Sequence, residues 1–259
     1  MKKIVSLVVA ALVMCSCADS FLSEEPVGEF MPEQVESEEN IEGIVIGAYA
    51  VLDGYYASDA INSGCSNWQF GDVVSDDAYK GGGGTGDQNQ IHLMEIFNAN
   101  PTGIDFEARW AALYEGVKRC NQAIRLLSNS TVKNKEQRLA EMRFLRGHYY
   151  FNLKVIYNLI PWIDETVVDP NEYHTKSNME FTSDQLWEKI LGEFSAAYQV
   201  LPESQSDYGR PTKMAAKAYM AKVYLYQSKW KECLSACDEV IQSGKYTLYP
   251  DFREVFLPE

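Results

Sequence analysis

Residues 141–153 read Glu141-Met142-Arg143-Phe144-Leu145-Arg146-Gly147-His148-Tyr149-Tyr150-Phe151-Asn152-Leu153. Within this run Met142, Leu145, Tyr149 and Leu153, extended by Ile156, fall on one face of a helix. Phe144 and Phe151, extended by Val155, fall on another. Apolar residues on two faces mean that the helix has partners on both sides. The helix is expected over about Asn134–Leu159, and Pro161 ends it.

On the N-terminal side, Phe106, Trp110, Leu113, Val117, Cys120, Ile124 and Leu127 recur at alternating spacings of four and three, the pattern of a helix with a single buried stripe. An earlier helix is expected from Ser37. Its first turn carries Glu38, Glu39 and Glu42, favourable at a helix N-terminus, and Ile41, Val45, Ala48 and Leu52 form its apolar stripe. On the C-terminal side, Thr182 and Gln185 form a capping box that opens a helix with Leu186, Ile190, Phe194, Ala197 and Leu201. A helical pair follows at about 212–226 and 230–243, closed by Gly244. In that pair Ala221, Tyr224, Trp230, Cys233, Cys237 and Val240 take the inward offsets of a tetratricopeptide repeat. One repeat cannot bury its own apolar face, so neighbours are required. No alternating run is long enough to read as a sheet. The predicted fold is mainly α, with tetratricopeptide-like helix pairs and one long irregular region, residues 53–103.

The 259 residues carry a net charge of −14, which repels nucleic acid, a polyanion bound mainly through protein cations. The chain begins Met1-Lys2-Lys3 and continues with an uncharged run from Ile4 to Met14, too short for a bilayer span of roughly 20 residues. Ser16-Cys17 resembles the lipobox of bacterial lipoproteins. Residues 1–16 therefore read as a lipoprotein signal peptide, Cys17 as the lipidated N-terminus, with Cys15 as the competing position, and 17–36 as a tether. Residues 37–259 read as the folded domain.

The irregular region holds the candidate ligand residues. Asp76 and Asp77 are adjacent carboxylates. Catalytic glycosidase carboxylates flank a bond about 5–9.5 Å apart, and loop neighbours have no reason to do so. They read either as turn-forming residues or as acceptors for sugar hydroxyls. Trp68, Tyr79 and Phe70 could offer ring faces for stacking, near Asn67, Asp72 and Lys80. Gly81–Gly86 is not a phosphate loop, because Asp87 stands where a lysine is needed, and it reads as a mobile loop. Cys233 and Cys237 share a helical face as small core residues. Zinc requires four ligands, and His92, His148 and His174 stand at no metal spacing to them. No metal, cofactor or catalytic constellation is expected. Arg146 is expected to pair with Glu141 or Glu136.

The block from Glu141 to Leu153, followed by Ile160-Pro161-Trp162, resembles a segment of the SusD/RagB family of outer-membrane lipoproteins. So do Phe21-Leu22 with Pro26, Gly71–Ala78, Trp110-Leu113-Tyr114-Asn121, Gly209–Lys213 with Ala215–Ala218, Tyr224-Leu225-Tyr226, and Tyr246-Leu248-Tyr249-Pro250, in the family's order. Gly147 stands where the family usually has alanine. Family members are about twice as long, so the chain is expected to be an N-terminal part with its C-terminal part missing. The resemblance implies a cell-surface, lipid-anchored outer-membrane protein without catalytic activity. It would bind oligosaccharide, or peptide in some members, and deliver it to a SusC-like TonB-dependent transporter. A protein-binding repeat scaffold and a secreted glycoside hydrolase are the alternatives.

Overall fold

The computed structural model describes residues 38–54 and 67–256, all within one compact unit, Glu36–Glu259. The expected signal peptide, Cys17, the expected tether and Cys65 lie outside the described residues. In chain order the helices are α1 (Glu38–Ala50), α2 (Asn89–Glu95), α3 (Ile104–Asn129), α4 (Lys135–Tyr157), the short α5 (Pro170–Tyr173), α6 (Ser183–Val200), α7 (Lys213–Tyr226) and α8 (Trp230–Gln242). Short 3-10 turns lie at Val51–Asp53 and Phe252–Phe256, and a single π turn at Trp68–Asp72. No strand occurs among the described residues.

Successive long helices pack in order: α3 on α4, α4 on α6, α6 on α7, and α7 on α8, with α1 against α3 and α4. α4 therefore has partners on two sides, as its two apolar faces require. Met142, Leu145, Tyr149 and Leu153 are fully buried. Phe144 meets Phe194 edge-on at 5.6 Å and Tyr219 at 5.2 Å, and Phe151 packs against Trp187 at 5.6 Å. The family-atypical Gly147 has a local reason. A Cβ there would lie 3.0 Å from the Phe194 ring and 3.2 Å from Glu193 Cβ, so the absent side chain lets α6 approach α4. Gly116 does the same for α3, where a Cβ would lie 2.6 Å from the Tyr149 ring.

Two polar clusters tie the helices together. Arg146 is buried, and its guanidinium donates to Glu193 Oε1 at 2.8 Å and Oε2 at 3.1 Å, to Asn121 Oδ1 at 2.8 Å, and to Glu165. This corrects the expected pairing with Glu141 or Glu136: Arg146 turns toward α6 and the segment after α4, and nothing in local spacing marks a partner 47 residues away. Glu141, fully buried, instead accepts from Arg138 Nη1 at 2.8 Å, Arg210 Nη1 at 2.7 Å and Tyr49 Oη at 3.0 Å. Charges placed so deeply are retained only when paired and hydrogen-bonded.

Three further readings are corrected. Leu52 is 39% exposed and Val51 is 1% exposed. α1 stops at Ala50 and tightens into a 3-10 turn, which rotates Val51 inward in place of Leu52. In α8 Ala236 is the buried residue, whereas Cys233 and Cys237 are half-buried and Trp230 is 63% exposed. The pair is present, but α8 packs chiefly on α7, with one hydrogen bond from Tyr198 of α6 to Glu239, so only one narrow stripe is covered. The region 53–103 is less irregular than expected, because it contains the π turn and α2.

Candidate functional site

The sequence-predicted ligand residues sit on a folded loop anchored by three buried side chains: Val73, Ile91 and Met94. The π turn starts the loop. Val73 N donates to Trp68 O at 2.9 Å and Asp72 N to Asn67 O at 3.2 Å, which places Asn67, Trp68 and Asp72 on one turn. Arg109 of α3, fully buried, donates from Nη2 to Asn67 Oδ1 at 3.1 Å, and its guanidinium lies 5.6 Å from the Phe70 ring centre. Phe70 meets Phe106 edge-on at 5.5 Å. Trp68 is half-buried, and Phe70 packs inward rather than standing free as a platform.

Beyond the π turn the chain reverses. Asp76 adopts a left-handed backbone, φ 65°, a conformation aspartate tolerates better than most residues. Ser75 Oγ donates to Asp72 O at 3.1 Å and lies 3.3 Å from Asp77 Oδ2, and Ala78 N donates to Asp72 O at 3.0 Å. Asp72, Asp76 and Asp77 thus shape a turn, and all three are exposed. Tyr79 follows at 80% exposure.

Lys80 is tied down at both ends. Its backbone N–H donates to Glu95 Oε1 at 3.0 Å, and its ammonium donates to Gly84 O at 3.1 Å and to Asp87 O. The N–H to Glu95, together with His92 at 3.2 Å, holds the Glu95 carboxyl below its ordinary value. The glycine run forms a set of turns folded around Asp87, whose Oδ2 accepts from Gly83 N at 2.9 Å. Gly82 has φ +76°, and a Cβ there would lie 2.2 Å from Asp87 Oδ2. The left-handed φ favours glycine here, and any Cβ would also push the Asp87 carboxylate aside.

Beside the loop lies a cavity of about 330 Å³ walled by Phe70, Val74, Met94, Phe97, Phe106 and Ile156. Phe97 is 75% exposed on a left-handed backbone, φ 55°. The sequence reading missed Met94 and Phe97. Met94 lies in α2 and Phe97 just beyond its end; α2 is only seven residues long and begins after Gln88 with no side-chain cap, so neither length nor capping signals it. The arrangement offers carboxylates, an exposed tyrosine ring and an apolar hollow. Among the described residues no group of three or more His, Cys, Asp or Glu side chains could hold a metal ion.

Comparison with known proteins gives this geometry its context. Residues 20–225 match a family model described as SusD-like, starch-binding and associating with the outer membrane. The chain belongs to the SusD-like family. Its relatives include SusD-like protein P2 of Formosa agariphila, 25% identical over 97% of this chain and 49% of that protein. A SusD-like protein of Bacteroides ovatus is 25% identical over 88% of this chain and 40% of its own length. The chain thus spans about half the length of these curated relatives or less. Among solved structures, surface glycan-binding protein A from Bacteroides thetaiotaomicron in complex with laminarihexaose superposes with a TM-score of 0.70 at 29% identity, over 85% of this chain and 46% of that one. A laminarin-binding SusD-like protein superposes with a TM-score of 0.67 at 26% identity, over 79% of this chain and 43% of that one. The mainly helical SusD-like fold is established by these neighbours, and the family is described by binding, not catalysis.

Proposed function

We propose that this SusD-like chain is the N-terminal part of a cell-surface lipoprotein that captures neutral oligosaccharide and delivers it to a SusC-like TonB-dependent transporter, without cleaving it. The observation that carries the reading is the match of fold and sequence to a surface glycan-binding protein solved with laminarihexaose bound. The loop supports it. Tyr79 offers a solvent-facing ring, and Asp72, Asp76 and Asp77 offer exposed acceptors for hydroxyls. Trp68 and Asn67 stand at the base of the same loop, and Lys80 serves by fixing its path. Adjacent exposed carboxylates on one turn do not form the opposed pair that glycoside hydrolysis uses. Cys17 is the proposed lipid attachment, and attachment by lipid suits a chain whose net charge of −14 gives it no attraction to an anionic membrane.

Replacing Tyr79 with alanine removes exposed ring area while leaving the core intact. It is expected to weaken glycan binding by about tenfold with an unchanged melting temperature. Equal binding by wild type and Tyr79→Ala would remove the loop from the proposed site.

A further inference from the structure

The connection after α4 folds back along α3 and leaves a cavity of about 420 Å³, walled by Trp110, Tyr114 and Tyr173 and bordered by Glu115 and Lys118. That volume falls within the roughly 300–1,000 Å³ common for small-ligand pockets. No residue of the 67–103 loop lines it.

Its walls are fixed by bonds that leave the ring faces in place. Tyr114 Oη donates to Pro161 O at 2.7 Å. Trp110 leans on Tyr114 with ring centres 4.7 Å apart and meets the edge of Tyr157 at 4.9 Å. Behind Tyr114, Tyr150 Oη donates to Ile163 O at 2.6 Å and accepts from Ile163 N at 2.7 Å. Walls ordered in advance lose little freedom when a ligand arrives.

The rim selects the ligand class. Glu115 Oε1 accepts from Arg119 Nε at 2.8 Å, while Oε2 lies 3.8 Å from Lys118 Nζ. Arg119 holds one carboxylate oxygen, and at the rim an acceptor, Glu115 Oε2, and a donor, Lys118 Nζ, stand side by side. A wholly apolar ligand would strip water from both without replacing its hydrogen bonds. An anionic ligand would approach a chain of net charge −14. A neutral ring with an apolar face and hydroxyls along its edge satisfies wall and rim together.

We infer that this cavity is a saccharide subsite separate from the loop. One pyranose of a neutral oligosaccharide lays its C–H face on the Trp110–Tyr114 wedge and turns its hydroxyls to Glu115 and Lys118. The inference rests on the glycan reading proposed above.

Titration calorimetry with laminarihexaose, and separately maltohexaose, tests it on the purified chain. Ala111 is exposed at the cavity's border, so Ala111→Trp plugs the space without touching the locked rings, and Tyr173→Ala removes one wall. For whichever hexaose wild type binds, each variant is expected to weaken affinity about tenfold, with unchanged circular dichroism and melting temperature. If wild type binds and both variants bind equally well while Tyr79→Ala does not, the subsite is wrong and the glycan reading stands. If wild type binds neither hexaose, both fall.

Discussion

Replacing Glu193 with glutamine leaves the shape of the α4–α6 contact almost unchanged and removes one buried negative charge. Glu193 is 6% exposed and holds the buried Arg146 through two bonds, at 2.8 and 3.1 Å. Deleting one partner of a buried ion pair costs about 3–5 kcal/mol, because the remaining charge stays out of water uncompensated. Here Arg146 keeps Glu165, whose side chain is 27% exposed, and Asn121 Oδ1 at 2.8 Å. The lower end of the range therefore applies, about 3 kcal/mol, or about 6–12 °C in melting temperature for a domain of this size. The assay is urea unfolding followed by far-ultraviolet circular dichroism. Glu165→Gln is the internal comparison, with an expected cost of about 1 kcal/mol, as for a partly exposed pair. A Glu193→Gln cost below about 1 kcal/mol, or one equal to that of Glu165→Gln, would refute the claim that the Arg146–Glu193 pair is the principal polar link between α4 and α6.

Gly116→Ala forces a methyl into the Tyr149 ring, which is itself held by a 2.8 Å bond from its hydroxyl to Ala48 O, and should cost about 1–3 kcal/mol. Gly192→Ala, also in a helix but with nothing within 4 Å of the new methyl, should instead stabilise by about 0.5–1 kcal/mol in the same unfolding experiment. His148 is lowered from 6.5 to about 4, first by burial and then by the charges of Arg109 and Lys222. Below its unfolded value only the unfolded chain takes up the proton. The His148 contribution is therefore fully present above 6.5 and is lost as pH falls toward 4. Stability measured at pH 7.5 and pH 5 should fall more for wild type than for His148→Gln; equal losses would place the acid sensitivity elsewhere. Cys17→Ala is expected to move the protein out of the membrane fraction and abolish acyl labelling, and retention with lipid would defeat the proposed anchor.

The long helices were legible because their apolar spacing extends over many turns, as in α3 from Leu113 to Leu127, every one of which is buried on that stripe. The Thr182–Gln185 capping box was legible because its chemistry is confined to four residues, and the structure shows both of its hydrogen bonds. What escaped depends on distant partners. Arg146 finds Glu193 across 47 positions, and the fit of Gly147 against Phe194 is invisible to helical spacing. The exposure of Trp230 follows from which neighbours α8 has, not from its own pattern. At the candidate site, residue types and turn chemistry pointed to the loop, while the cavity walls Met94, in α2, and Phe97, just past its end, went unread because α2 is short and uncapped.

The central claim is glycan capture without turnover, and an array of neutral and charged glycans probed with the purified chain, followed by analysis of the bound sugars for cleavage, tests it most directly. The account predicts retention of neutral oligosaccharides, recovered intact, with reduced retention by Tyr79→Ala. Retention of none of the neutral glycans, or recovery of shortened products, would contradict it.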